Sequence, residues 1–497
     1  MTATSGVEKN AILLFGRWSK PRSTGLFGQT WGVTVLGGVL LLVWVILVSI
    51  TQSLWVGGSA FLIESGLLVP LVWHREGVTG LEWMVRRVQY RWAFWRKETD
   101  FSGGVFGKTP GFGMPPGILG NVEQYEYELR NGDRWGMNHL RAKDHFAVVL
   151  DVTPRGQEGF DQWQANQWVA GHGDLLARLG TTNGAIGMTV TVESVPEFGQ
   201  RVKAEARRIH SPAAPEFALE HLASTVTDRS GGTVRAEVRV CFIFIRPRGA
   251  KTVLDVAKQI GSQLSTLIAA TKKAGVDAVP MTGGEISMLV ARAYRPELTA
   301  AIEGLTQQGR TDVIAWDQAG PRGARNNWDH YLHNGFRSVT WEMATPPESA
   351  VPSDNLKPLL IPRATLPCKR VTVVYRIHRA GEAKKMVNAD FREALADEQS
   401  KSGVASASAT IRRENTQAAR VEQAHGAGLT RFGMLVTLTT PKDDDLAEIT
   451  PELEGLGDEA SIMLQRCWGD SDAAFAGGIG VGILLPEYAS GHLAVFE

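Results

Sequence analysis

Cysteine is scarce: three residues in 497, Cys241, Cys368 and Cys467, far apart and without a CxxC pair. An odd count with no close pair provides neither a disulfide framework nor a zinc site, and fits a reducing compartment. Net charge is also missing, since 52 Lys and Arg balance 52 Asp and Glu. No global field draws the chain to nucleic acid, and no sequence-specific nucleic-acid binding is expected. Nucleotide-hydrolysis signatures are equally thin. The one Gly-Lys-Thr run is Gly107-Lys108-Thr109. A P-loop needs a glycine where Ser102 stands, then a helix, whereas Pro110 follows at once. The stretch reads as a Gly- and Pro-rich linker, and the sequence shows no ATPase motor.

What the chain does have is one long apolar stretch over residues 30–73, broken only by Thr51-Gln52-Ser53. The first run holds no charge for about twenty residues, the length that crosses a hydrocarbon core of roughly 30 Å. The second carries one acid, Glu64. The pattern predicts a transmembrane hairpin, with Glu64 facing a protein neighbour rather than lipid. Lys9, Arg17, Lys20 and Arg22 precede it, and Arg75, Arg86, Arg87, Arg91, Arg96 and Lys97 follow, with an uncharged turn between. Positive residues at both outer ends predict a multi-pass protein of the cell (inner) membrane with both termini cytoplasmic. Mean hydropathy is only −0.10, so the membrane part is a minority. Residues 1–29, with Phe15, Trp18 and Phe27, read as an N-terminal interfacial segment. Residues 74–117 read as a basic, Trp-rich interfacial helix on anionic lipid, then the linker.

Strand and helix signals alternate through residues 118–310. HFAVVLDVTP, IGMTVTVESVP and RAEVRVCFIFI read as strands. FDQWQANQWVAGHGDLLARLG and VLDVAKQIGSQLSTLIAATKKAG read as helices, the second with Val256, Ile260, Leu264 and Leu267 on one face. A helical stretch near 198–227 is interrupted at Pro212 and Pro215. The fold class is α+β, with ferredoxin-like signals. Residues 311–497 form a second α+β part. Residues 313–316, Ser338–Trp341, RVTVVYRIH, GMLVTLTT and GGIGVGILLP read as strands, and 382–426 as a helical hairpin broken near 400–408. Residues 446–467 read as helix with a break at Pro451, capped by Asp443, Asp444 and Asp445.

The order strand, helix, strand, long helices, apolar strand, helix, then Gly275-Val276-Asp277-Ala278, Gly284-Glu285-Ile286-Ser287-Met288-Leu289-Val290 and Tyr294-Arg295-Pro296, resembles the non-motor N-terminal region of VirB-type conjugative ATPases. The front hairpin resembles the small PrgI-like membrane component that accompanies such ATPases. Lys20-Pro21-Arg22-Ser23-Thr24-Gly25-Leu26-Phe27-Gly28 is similar to the entry segment of actinobacterial integral membrane proteins of conjugation, type IV secretion-like systems. The resemblance implies a non-catalytic inner-membrane scaffold of a DNA-transfer apparatus, docking a separate ATPase and other membrane components, as a homo-oligomer. An EccE-like component of type VII protein secretion, with its FtsK-like ATPase, is the alternative.

No catalytic, cofactor-binding or metal residue is assigned. His330 and His333 stand three apart, a metal-binding spacing if helical, but lack a third ligand nearby and read as structural.

Overall fold

Stretches rich in Val, Ile, Phe and Thr pair into a 13-stranded sheet, almost all of it from residues 118–488. The computed structural model describes residues 12–16, 31–72, 74–75, 78–104, 107, 113–129, 132–155, 159–211, 213–229, 233–347, 349–400, 407–424 and 428–488. The chain divides into two compact units. The sheet belongs to the larger, Met1–Ser19 with Asp100–Leu484; the other is Lys20–Thr99 with Leu485–Glu497.

In the smaller unit, α1 (Trp31–Thr51) and α2 (Leu54–Val72) form an antiparallel hairpin, followed by α3 (Gly80–Trp95). Trp44 Nε1 donates to the Gly57 carbonyl at 3.0 Å, and its ring meets Phe61 edge-on at 6.0 Å. Among the described residues, however, no helix is long and apolar enough to cross a membrane. The predicted transmembrane hairpin, multi-pass cell (inner) membrane location and cytoplasmic termini are corrected on that finding. The Glu64 side chain and nearly all of the 1–29 interfacial segment lie outside the described residues. Just after α3 the Arg96 guanidinium lies 5.5 Å from the Trp92 ring.

The sheet is built twice from one plan. The thirteen strands in chain order are β1 (Asp100–Ser102), β2 (Val122–Glu128), β3 (Arg134–Leu140), β4 (His145–Pro154), β5 (Ala185–Pro196), β6 (Val234–Ile245), β7 (Val276–Pro280), β8 (Gly323–Asn326), β9 (Tyr331–His333), β10 (Phe336–Thr345), β11 (Lys369–His378), β12 (Leu429–Pro441) and β13 (Met463–Arg466). Their order across the sheet is β1-β8-β9-β10-β12-β11-β5-β6-β4-β3-β2, with β7 on β4 and β13 on β10. Both sides of the β5–β11 junction therefore repeat the same antiparallel sequence outward. Residues 118–310 supply one half and 311–484 the other, with β1 paired on β8 at the outer edge of the second.

The helices repeat too. In the first half α4 (Gln162–Thr181) joins β4 to β5, α5 (Gln200–Ile209) and α6 (Glu216–Arg229) join β5 to β6, and α7 (Val253–Lys273) joins β6 to β7. There follow α8 (Gly283–Tyr294) and α9 (Thr299–Gln307). In the second half the same places are taken by α10 (Lys357–Leu360), the pair α11 (Ala380–Ser400) and α12 (Ala407–Ala424), then α13 (Leu446–Glu459) and α14 (Ser471–Gly478). Each half is a β-α-β-β-α-β ferredoxin-like unit with a helical arm between its second and third strands. At the junction, Thr191 of β5 lies opposite Thr372 of β11, each the centre of a Val-Thr-Val triplet.

One sheet face carries the apolar core. Phe146, Val148, Leu150, Phe242 and Phe244 pack under Leu175 and Leu179 of α4 and Ile260 and Leu264 of α7. Val339, Trp341, Val371, Val436 and Leu438 pack under Leu453 and Leu456 of α13. Each such side chain contributes roughly 1.5–3 kcal/mol. A capping box starts α7: Thr252 Oγ1 accepts from the Asp255 N–H, and the Asp255 carboxylate accepts from the Thr252 N–H.

Three local expectations are overturned. Residues 313–316 are irregular and lead into a 3₁₀ turn, Trp316–Gln318. The GGIGVGILLP stretch closes α14 and continues as a buried loop, because Gly480 and Gly482 take φ of 77° and 108°, outside the β region. Pro451 lies inside α13 without breaking it, and 463–466 are a strand. As the sixth residue of α13, Pro451 leaves the helix without one backbone N–H bond, a loss that the continuous helix tolerates. The predicted cap is present: Asp445 Oδ1 accepts from the Ala447 N–H at 2.8 Å.

Candidate functional site: a buried ionic face of the sheet

The side of the sheet opposite the apolar core is lined with charge and hydroxyls. Period-two alternation puts Glu237 of β6, Glu193 of β5, Arg370 of β11, Thr437 of β12 and Thr340 of β10 in one row across the strands. The adjacent row is Asp151, Arg239, Thr191 and Thr372. A sheet can bury such a face only if its groups find partners. The partners come from elements packed over it. From α8, Arg292 reaches Glu193 Oε2 at 3.2 Å and also binds Glu237. From the loop after α14, the Ile479 carbonyl accepts from Arg239 Nε at 2.8 Å, while Arg239 Nη1 holds Glu193 Oε2 at 2.7 Å. From α14 itself, the Phe475 ring lies 4.7 Å from the Arg370 guanidinium.

The charges hold one another unequally. Burial alone would raise the Glu193 carboxyl, yet Arg292, Arg239 and Arg370 overcome it and hold the pKa at about 2. Glu237 is lowered in the same way, against its burial, chiefly by Arg292. Arg370 goes the other way: burial pulls it down to about 10, with Arg239 and Arg292 adding to that against the attraction of Glu193. Arg370 is 2% exposed, and its Nη1 and Nη2 have no hydrogen-bond partner among the described residues. Arg239 Nη2 and Arg292 Nε are likewise unpartnered.

Two cavities open on this cluster. A cavity of about 20 Å³ lies against Glu193, Arg292, Cys368, Arg370 and Thr439. A wider one, about 450 Å³, is bounded by Asp151, Arg235, Glu237, Arg292, Glu303 and Gln307. In the first, burial pushes the Cys368 thiol up to about 11, so it is no ready nucleophile. In the second, Glu303 is 5% exposed with Oε2 unpartnered.

The residues singled out in the sequence lie elsewhere. His333 is in β9, not a helix. Its Nδ1 donates to the Tyr294 carbonyl at 2.7 Å and its Nε2 accepts from Ser338 Oγ at 2.8 Å. His330 bonds Asp329 and Asn327 instead, so the two histidines share no site. No group of three or more His, Cys, Asp or Glu among the described residues could hold a metal ion. Lys108 and Thr109 lie outside the described residues.

Sequence reading missed Glu193, Glu237, Arg239, Arg292 and Arg370. The signal was available: Glu237 and Arg239 interrupt RAEVRVCFIFI two apart, on the face that a solvated strand would turn to water.

A family model for a domain of unknown function, DUF8461, matches residues 22–82, in the smaller unit and well short of half the chain. No curated protein matches.

Proposed function

We propose that this chain is a non-catalytic scaffold of a conjugative, type IV secretion-like DNA-transfer apparatus and that it docks a separate ATPase. The observation that supports the docking role is the pair of helical arms, α5–α6 and α11–α12, inserted at equivalent points of the two halves. Each carries exposed apolar side chains: Ile209 and Phe217, 55% and 79% exposed, on one, and Ile411 and Val421, 54% and 46% exposed, on the other. Exposed apolar side chains on both arms give a partner protein apolar surface to cover. The sequence resemblance to the non-motor part of conjugative ATPases supports the choice of partner.

Pull-down of the full-length chain with a conjugative ATPase tests this. Binding that Phe217→Glu and Ile411→Glu together reduce at least tenfold, with no ATP hydrolysis by the chain alone, is the expected result. Hydrolysis by the purified chain would sink it. Binding of an FtsK-like ATPase instead would move the reading to EccE-like protein secretion.

A further inference from the structure

We infer that α3 rests in the headgroup layer of an anionic lipid surface, with its exposed apolar face towards the acyl chains and its basic side chains on lipid phosphate. This goes beyond the docking reading and does not rest on it. It requires no helix to cross the bilayer.

Three observations carry it. The first is an uncovered face. Met84, Val88, Trp92 and Trp95 recur at helical spacing and so share one side of α3. Each is between 48% and 76% exposed, so no described residue covers that side. A coherent apolar face left open in this way marks a contact surface. The second is its composition. Two of the four are tryptophans, with ring centroids 5.8 Å apart. An indole has an apolar body and one N–H, and settles where hydrocarbon meets headgroups. The third is charge. From Trp83 to Lys97 the chain carries Arg86, Arg87, Arg91, Arg96 and Lys97 and no acid. Glu82 and Glu98 flank the segment, and Glu98 is held by Arg96 at 3.4 Å. Five cations against these two acids leave the segment positive. Arg91, Arg96 and Lys97 are exposed. Arg91 stands four residues before Trp95 and seven after Met84, at the border of the apolar face. An anionic lipid surface matches this division: hydrocarbon for the apolar face, and phosphate that a guanidinium grips with two N–H groups. Interfacial helices of this kind bury their apolar side about 5–10 Å deep. A single strand of nucleic acid would stack on the tryptophans but leave Met84 and Val88 in water.

The test mixes the full chain with vesicles of phosphatidylcholine alone or of an equal mixture of phosphatidylcholine and phosphatidylglycerol, and measures binding by flotation. Binding to the anionic vesicles is expected to be at least tenfold tighter and to weaken as salt is raised. Val88→Glu with Trp95→Glu should reduce it at least tenfold at an unchanged unfolding midpoint, since both side chains are exposed. Arg91→Gln with Lys97→Gln should remove the preference for anionic vesicles. Lipid brominated at the headgroup end of its acyl chains should quench part of the tryptophan fluorescence, and Trp92→Phe with Trp95→Phe should remove that part. Equal binding to the two kinds of vesicle, or binding and quenching that none of these variants changes, would overturn the proposal. So would a failure to bind either kind; tight binding of a single-stranded oligonucleotide in its place would give the face to nucleic acid.

Discussion

Thr191 and Thr372, one on each side of the junction between the two halves, place their hydroxyls 3.0 Å apart. They occupy equivalent positions of the repeated plan and face each other across the line about which it repeats. The single proton of Thr372 goes to the Gly478 carbonyl at 2.8 Å, so Thr191 must donate to Thr372. Both residues are fully buried.

That proton order makes the two threonines unequal. Thr372→Val leaves the Gly478 carbonyl and the Thr191 hydroxyl without their partners and is expected to cost about 1–3 kcal/mol. Thr191→Val removes a donor but leaves the Thr372–Gly478 bond intact, and should cost roughly 0.5–1.5 kcal/mol. The double variant should lose less than the sum, because the pair is coupled. Urea unfolding of the three variants checks the order; a larger loss for Thr191→Val than for Thr372→Val would reverse the assigned donor.

Gly480 is tied to the same place. Its φ is 77°, and a Cβ there would overlap the Thr191 hydroxyl and crowd the Thr191 Cβ, 3.1 Å away. Left-handed backbone costs a non-glycine residue ~1–2 kcal/mol before any overlap. Gly480→Ala should therefore cost more than ~3 kcal/mol, in the range of the most damaging single changes. Gly249, at φ 91° with nothing near its Cβ position, is the control: Gly249→Ala bears only the backbone cost. Equal losses for the two would show that the approach of the loop to Thr191 is not tight.

How much of this was legible follows from what sequence periodicity encodes. The strands RAEVRVCFIFI and RVTVVYRIH and helix α7 follow their apolar spacing, and α11 and α12 are helical as the 382–426 composition predicts. The duplication was hidden because the halves keep volume and pattern rather than residues: beyond Val190-Thr191-Val192 and Val371-Thr372-Val373, α4 has twenty residues where α10 has four. The ionic face was hidden for another reason. A charge on alternate strand positions reads as a solvated face, and only the cover supplied by α8, α14 and the 479–484 loop makes it interior. GGIGVGILLP shows the converse: its apolar residues signal burial, but positive φ at two glycines decides the conformation.

His333 sets the stability of this cover in mild acid. Burial lowers its pKa from 6.5 to about 3, Arg370 adds to that, and the bond to the Tyr294 carbonyl only partly opposes it. The folded value lies below the unfolded one, so the contribution is complete above pH 6.5 and is lost as pH falls towards about 3. Protonation would also place a proton between Nε2 and Ser338, which now donates to it. Stability measured by urea unfolding should fall by several kcal/mol across that window. His333→Gln, which keeps a donor and an acceptor, should flatten the slope between pH 6.5 and pH 5, where few carboxylates titrate; an unchanged slope would remove His333 as its cause.

Glu193 governs the more acidic range. Its burial favours the neutral acid, but Arg292, Arg239 and Arg370 hold it ionised down to about pH 2, against an ordinary value of 4.5. A folded pKa below the unfolded one contributes stability that is complete above pH 4.5 and lost between there and pH 2. The loss is on the order of 3 kcal/mol for a shift of this size. Glu193→Gln should remove that acid dependence. At neutral pH it should also cost about 3–5 kcal/mol, because Arg239 and Arg292 would keep their charges in a buried site without the acid they share. The two effects separate its electrostatic role from packing. Glu193→Asp keeps the charge but shortens its reach, so it should retain the acid slope while losing part of the neutral stability. A Gln variant as stable as the parent at pH 7 would mean that water reaches the arginines and that the face is not sealed.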